Sequence, residues 1–206
     1  MNVNKYIAHK NEISGATQTV KEHCENTADL CRNFSVPELK DLAYVVGLLH
    51  DVGKFQASFV ERIHGANIKV EHSTCGALAA KEKYAVPMPM ALMMEYCIAG
   101  HHSGIPDGGF PNDDADKATL CGRLKRDYED FGEYKNELAL PELNGLEWMK
   151  YLFRDCDNKM ENVIDKFAFL TRYVFSCLVD ADSIDTADFC KERELPRKLN
   201  ADFSSC

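Results

Sequence analysis

His50 and Asp51 stand side by side at the end of an apolar stretch that runs from Leu42 to Leu49, and Gly53 and Lys54 follow directly. An imidazole and a carboxylate at the end of a buried helix are costly unless something pairs them, and a divalent metal does so best. Five further polar groups fall at helix ends or on inward helical faces: His23, His72, His101, His102 and Asp180. A mixed imidazole and carboxylate set of this size exceeds the four ligands of one tetrahedral metal. It suits two metals that share the Asp51 carboxylate as a bridge. Such pairs sit about 3.5–4 Å apart and clamp the attacking and leaving oxygens of a phosphate ester. The set contains no thiolate, which disfavours structural zinc, and its chemistry suits Fe, Mn, Co, Ni or Zn, with Mg also admitted. Two members have blander readings of their own. His23 also fits a partly exposed position on a surface helix, and the His101-His102 pair also fits the capping of a helix end.

The elements that must position these groups read as helices. Thr17 to Phe34 carries small or apolar residues at helical spacing, with Thr17 as a cap. Ser35-Val36-Pro37 starts a helix over Glu38 to His50, apolar nearly all round beyond Leu42 and therefore central. A short helix follows over Phe55 to Ile63. His72 then stands at a helix N-terminus, where imidazolium is disfavoured, and the small residues Gly76 to Ala80 allow close helix approach. Met88 to Ile98 forms an apolar helix that ends at Gly100-His101-His102. Asp113 to Leu138 is charged and reads as a long exposed helix, and Gly145 to Asn158 as another. Asn162 to Asp182 is the last strong helix. Asp180 falls within its apolar stretch, whereas Asp182 and Asp185 fit a terminal turn that bends outwards. No sustained period-2 alternation occurs, so the expected fold is all-α: a compact helical bundle over residues 1–190, with the metal site between its central helices. The segment 191–206 reads as a polar tail.

Composition sets the frame. The chain has 206 residues, with 45% hydrophobic and 28% charged, the profile of one globular domain. A net charge of −9 argues against non-specific coating of nucleic acid, yet permits a nuclease whose metals supply positive charge locally. The nine cysteines are scattered, odd in number and free of any Cys-x-x-Cys pair, which fits a reducing compartment. The first residues lack the apolar core of a signal peptide, and no stretch approaches the roughly 20 apolar residues of a membrane span. A cytoplasmic location is expected.

The order His…His-Asp-x-Gly-Lys…His-Ser-x-x-Gly-Ala…Gly-His-His-Ser-Gly-Ile-Pro-Asp…Leu-Val-Asp-Ala-Asp resembles the HD phosphohydrolase superfamily. Within it, His72-Ser73 with Gly76-Ala77, His101-His102-Ser103-Gly104 and the run Ser176 to Asp182 look like the HD nuclease domain of the type I CRISPR-associated helicase-nuclease. The resemblance spans roughly residues 5–190. It implies that His23, His50, Asp51 and Asp180 hold one metal, and that Asp51, His72, His101 and His102 hold a second. It implies that Lys54 contacts the scissile phosphate and that a metal-activated hydroxide attacks it. It further implies cleavage of single-stranded DNA exposed by an RNA-guided surveillance complex. His9, in Ala8-His9-Lys10, falls where such proteins often carry Ala-His-Ser, and ranks as a supporting residue. His64 reads as surface. The sequence lacks a Gly-x-x-x-x-Gly-Lys-Ser/Thr phosphate loop, so unwinding must come from a separate or missing helicase.

The same metal chemistry would serve a nucleotide phosphohydrolase acting on small nucleotides. A closed pocket with base-reading groups would favour that reading, and an open groove would favour a DNA strand. Lys54, Lys10, Arg172 and Lys69 are candidate phosphate contacts, and Phe110 and Tyr128 candidate stacking residues. A metal-stabilised docking module without catalysis is the third reading.

Overall fold

The computed structural model describes residues 6–191. The expected polar tail over 191–206 therefore lies outside the described residues, except for the backbone of its first residue. Among the described residues the fold is mostly helical, as expected, with one small exception at the start. Strands β1 (Ile7–Lys10) and β2 (Thr17–Thr19) pair antiparallel, with Ile7 opposite Thr19, His9 opposite Gln18, and an irregularity at Ala8. Strands of four and three residues are too short to display a period-2 pattern, which is why the sequence reads as all-α. Their turn is closed by Asn11, whose Oδ1 accepts from the backbone N–H of Ile13 and Ser14.

Helix α1 (Val20–Phe34) starts three residues after Thr17, the expected cap. Thr19 is the cap instead: its side chain accepts from the Glu22 backbone, and Glu22 reaches back to the Thr19 N–H. After a tight turn at Pro37–Leu39, α2 (Lys40–Leu49) buries seven of its ten residues, which makes it the central helix. A single tight turn over Val52–Phe55 leads to α3 (Ala57–Ile63). Helices α4 (Ser73–Lys83) and α5 (Met88–Gly100) follow and pack on one another. The α4 helix crosses the end of α2 at backbone contact, because a Cβ at Gly76 would strike the Leu49 carbonyl oxygen. The small-residue run reads correctly as a close helix crossing.

The segment expected to be one long helix over 113–138 is mostly turns, with only α6 (Leu120–Arg123) and α7 (Tyr134–Glu137) helical. Side chains here compete for the backbone. Thr119 caps α6 by accepting from Gly122 N, Lys125 donates to the carbonyls of Pro111 and Asp113, and Arg126 donates to those of Ala115 and Lys117. Helix α8 (Gly145–Phe153) ends five residues before its expected limit. Helix α9 (Met160–Lys191) runs on unbroken past Asp182 and packs across α1, α2 and α5. Its buried Val174, Leu178 and Ala181 close the core over Cys24, Ala28 and Cys31 of α1. No helix among the described residues is long and apolar enough to cross a membrane.

Candidate metal centre

Three helix ends, those of α2, α4 and α5, and two helix faces, those of α1 and α9, meet at Asp51. The end of α2 delivers His50 and Asp51, both buried. The Val52–Phe55 turn folds back so that Lys54 Nζ reaches Asp51 Oδ2 at 2.6 Å, with the lysine side chain 7% exposed. Gly53 makes this turn possible beside α4, since a Cβ there would collide with the backbone carbonyl of His72. His72 stands at the N-terminal boundary of α4, and His101 and His102 follow the last turn of α5. His23 lies on the inward face of α1, fully buried, so the partly exposed surface reading does not hold.

The two carboxylate oxygens of Asp51 face different histidines. Oδ1 lies 3.3 Å from His72 Nε2 and 3.5 Å from His101 Nε2. Oδ2 lies 3.2 Å from His23 Nε2 and 3.4 Å from His50 Nε2. His102 joins the first pair through a 2.8 Å approach of its Nε2 to that of His72. Asp182 joins the second, with Oδ1 3.2 Å from His23 Nε2 and 3.8 Å from His50 Nε2. Among the described residues, Asp51, His72, His101 and His102 form one group able to hold an ion, and His23, His50 and Asp51 form another.

Hydrogen bonds behind the rings decide which nitrogen faces inward. His50 Nδ1 donates to the Gly47 carbonyl and His101 Nδ1 to the Ile98 carbonyl, both at 2.7 Å. A carbonyl only accepts, so the proton sits on Nδ1 and a neutral ring turns its Nε2 lone pair to the centre. His23 Nδ1 is held at 2.7 Å by Asp185 Oδ2 in the same manner. Asp185 Oδ2 also accepts from Gln18 Nε2, and its Oδ1 from Asn26 Nδ2, so this carboxylate is fixed on three sides. Lone pairs on Nε2 thus confront carboxylate oxygens. Asp51 Oδ1 and His101 Nε2 are both buried, and neither has a hydrogen-bond partner. Acceptors facing acceptors in a buried site are stable only with a cation between them. The residues present therefore fit a divalent metal.

The protonation pattern follows the same division. Burial disfavours a charged His23, yet its bonds to Asp182, Asp185 and Asp51 prevail and raise its pKa to about 10. Against the same burial penalty, Asp51 and Asp182 raise His50 to about 9. On the other side, burial and the neighbouring His101 push His102 down to about 4, and burial lowers His101 as well. Burial opposes ionisation of Asp51, but Lys54 and the surrounding histidines hold its carboxyl well below the usual range. In the metal-free protein, protons at His23 and His50 take the place of a cation among three carboxylates.

Asp180 does not belong to the centre. It is exposed, whereas Asp182 and Asp185 are the carboxylates that reach His23. The buried positions Leu178, Ala181 and Asp185 define the inward stripe of α9, with Asp182 beside it. Asp180 lies about 200° around the helix from Asp182. The expected outward bend, which would have turned Asp182 away, does not occur. Asp182 and Asp185 are the functional residues that sequence reading missed. Their spacing of four residues, Asp182 from Leu178 and Asp185 from Ala181, was the available signal. His9 packs its ring edge-on against His23, centroids 4.6 Å apart, in a supporting position, and burial and Lys54 lower its pKa to about 3. His64, Lys10, Lys69 and Arg172 are exposed. Burial raises the pKa values of Cys24, Cys31, Cys75 and Cys97, so these thiols stay protonated.

A family model described as HD domain matches residues 20–141, more than half of the chain. The matched stretch contains His23, His50, Asp51, Lys54, His72, His101 and His102, while Asp182 and Asp185 lie beyond it. No curated protein matches the chain.

Proposed function

Because the chain belongs to the HD domain family, whose members are metal-dependent hydrolases that bind divalent metals, we propose that it is a metal-dependent phosphodiesterase that cleaves single-stranded DNA in type I CRISPR interference. The observation that carries the metal chemistry is the division of Asp51 between two histidine sets, one on each carboxylate oxygen. That arrangement would let His23, His50, Asp51 and Asp182 hold one ion and Asp51, His72, His101 and His102 hold a second. Bound divalent cations would bring the pKa of water towards neutral and neutralise developing charge on the phosphate oxygens.

The chain's own residues supply the rest. His23, His50, His72, His101 and His102 present their imidazole nitrogens, and Asp182 closes the inner set. Lys54 fixes an ammonium at the edge of the centre, 2.6 Å from Asp51 Oδ2, where a phosphate oxygen is an equivalent partner. The inner set is walled off by α1, α2 and α9. The outer set opens past the exposed His102, Ser103 and Gly104, and a strand would approach from that side.

Two features favour a strand over a small nucleotide: the His72-Ser73 and His101-His102-Ser103-Gly104 motifs, and the open cleft beside His72 and His102. Unwinding by a separate helicase and delivery by an RNA-guided surveillance complex belong to the same proposal.

Metal-stripped protein offered circular single-stranded DNA, duplex DNA and a nucleotide panel, with Mg, Mn, Co, Ni or Fe added singly, tests the proposal. Metal-dependent cutting of the single-stranded circle, lost in Asp51→Ala, is the expected result. Phosphate or nucleoside release from nucleotides with the circle intact would move the protein to the small-substrate branch.

A further inference from the structure

An open cleft of about 580 Å³ begins at His72 and His102 and runs away from the inner metal set. Its lining combines the apolar Ile105 and Pro106 with Thr119, Arg123 and Arg126, and includes the carboxylates Glu71, which pairs with Arg123, and Asp107. Both arginines are pinned in place. Arg123 Nε donates to Thr74 Oγ1, and its Nη2 to Ser73 Oγ and Glu71 Oε1. Arg126 Nε donates to the Ala115 carbonyl and its Nη2 to the Lys117 carbonyl. These bonds use one edge of each guanidinium and leave the Nη1 edge to other partners. A guanidinium fixed in advance loses little entropy when it binds a phosphate.

A second observation concerns the loop tied to the cleft residue Thr119. Phe110 is 71% exposed, yet its loop is braced. Asp113 Oδ2 accepts from both Phe110 N and Thr119 Oγ1, tying this exposed ring to a residue of the cleft wall. A rigidly mounted exposed aromatic ring is a stacking platform for a base.

We infer that this cleft seats the nucleotide next to the scissile phosphate of a single strand, with Arg126 and Arg123 on the neighbouring phosphate, Ile105 and Pro106 against the sugar, and Phe110 under a base. This inference rests on the phosphodiesterase reading of the metal centre. It adds to that reading the side on which the strand lies and the residues that grip it.

The test compares Ala118→Trp, Arg126→Ala and Phe110→Ala with the unaltered protein. Ala118 lines the cleft and is exposed, so a tryptophan there fills the space without entering the core. The first readout is kcat/KM for a 12-nucleotide single strand divided by that for bis(p-nitrophenyl) phosphate, which has no neighbouring nucleotide. The ratio should fall about tenfold in Ala118→Trp and Arg126→Ala, and about fivefold in Phe110→Ala. An unchanged ratio in all three would overturn the inference. The second readout is fluorescence anisotropy of the labelled strand in EDTA, where no cleavage occurs. The same variants should weaken binding by similar factors. If the unaltered protein hydrolyses neither substrate with any metal, the phosphodiesterase reading fails, and the anisotropy still decides the cleft. Absence of binding, or binding that no variant weakens, would overturn it. Displacement of the strand by thymidine 5′-phosphate as effective as by unlabelled strand would overturn it in favour of a free nucleotide.

Discussion

Asp185 offers the sharpest test of how this centre is built, because it touches none of the inward-facing nitrogens. Its Oδ2 holds His23 Nδ1 at 2.7 Å and accepts from Gln18 Nε2 at 2.7 Å, while Oδ1 accepts from Asn26 Nδ2 at 2.9 Å. Asp185→Ala removes all three bonds. His23 then has no acceptor to keep its proton on Nδ1, and the tautomer with Nε2–H, which cannot ligate, becomes populated. Losing such a carboxylate behind a ligating histidine costs about 10–100-fold in metal affinity, or roughly 1.4–2.8 kcal/mol. The loss should fall on the group formed by His23, His50, Asp51 and Asp182. The group of Asp51, His72, His101 and His102 should stay within about threefold, since its Nδ1 bonds go to the carbonyls of Ile98 and Val70. Asp185→Asn should lie between the two: its amide oxygen still accepts from His23 once the Asn26 amide rotates, but the charge is gone. Calorimetric titration of the metal-stripped protein with Mn, supported by metal content after dialysis, reads both affinities. Unchanged inner-group affinity in Asp185→Ala would refute the orienting role. A loss confined to the outer group would show that the two sets are assigned wrongly.

Asp182→Ala should lower metal content at the inner group, whereas Asp180→Ala should leave metal content and cleavage unchanged; elemental analysis of both variants separates the two positions. Lys54→Ala should keep its metal but lose about a hundredfold or more in turnover, the scale expected when a charge-stabilising donor is removed; metal loss instead would give Lys54 a structural role. The metal-free protein should become less stable at alkaline pH. His23 and His50 have folded pKa values raised to about 10 and about 9, so their contribution is complete below about 6.5 and vanishes as pH rises through those values. Asp51 and Asp182, held low, contribute above the ordinary carboxylate pKa and lose that contribution in acid. His9, His101 and His102, held neutral by burial, oppose folding as pH falls below about 6.5, so thermal unfolding in EDTA should give the highest Tm near pH 6.5 and a lower one on either side. Added metal should stabilise more strongly as pH rises, because it replaces those protons.

The sequence discloses most of the centre because most of its members announce themselves by expense. His50-Asp51 at the end of a buried helix, His72 at a helix start and His101-His102 at a helix end are all placed by patterns of a few residues, and the structure brings them together at one carboxylate. His23 is legible only as a histidine on an amphipathic helix. What makes it a member is the packing of α1 on α2, where a Cβ at Gly47 would collide with the Ala28 backbone. That contact joins residues 19 positions apart, and no local pattern encodes it.

The errors share a cause of a different kind. Choosing Asp180 over Asp182 and Asp185 assumed that α9 bends outwards where its apolar run ends. Continuing the helix instead carries the inward stripe on from Leu178 and Ala181 to Asp185, so the polar residues beyond the apolar run lie inward too. A stripe that turns from apolar to acidic without leaving the core implies a buried positive partner. Here that partner is His23, whose own partners are otherwise Asp51 and His50. The long helix expected over 113–138 fails for the opposite reason, because Thr119, Lys125 and Arg126 satisfy backbone groups that a helix would have used. Those diverted bonds are also what fix Arg126 in the cleft beside His72 and His102. The residues that break the helical pattern are thus the ones that shape the approach to the metals.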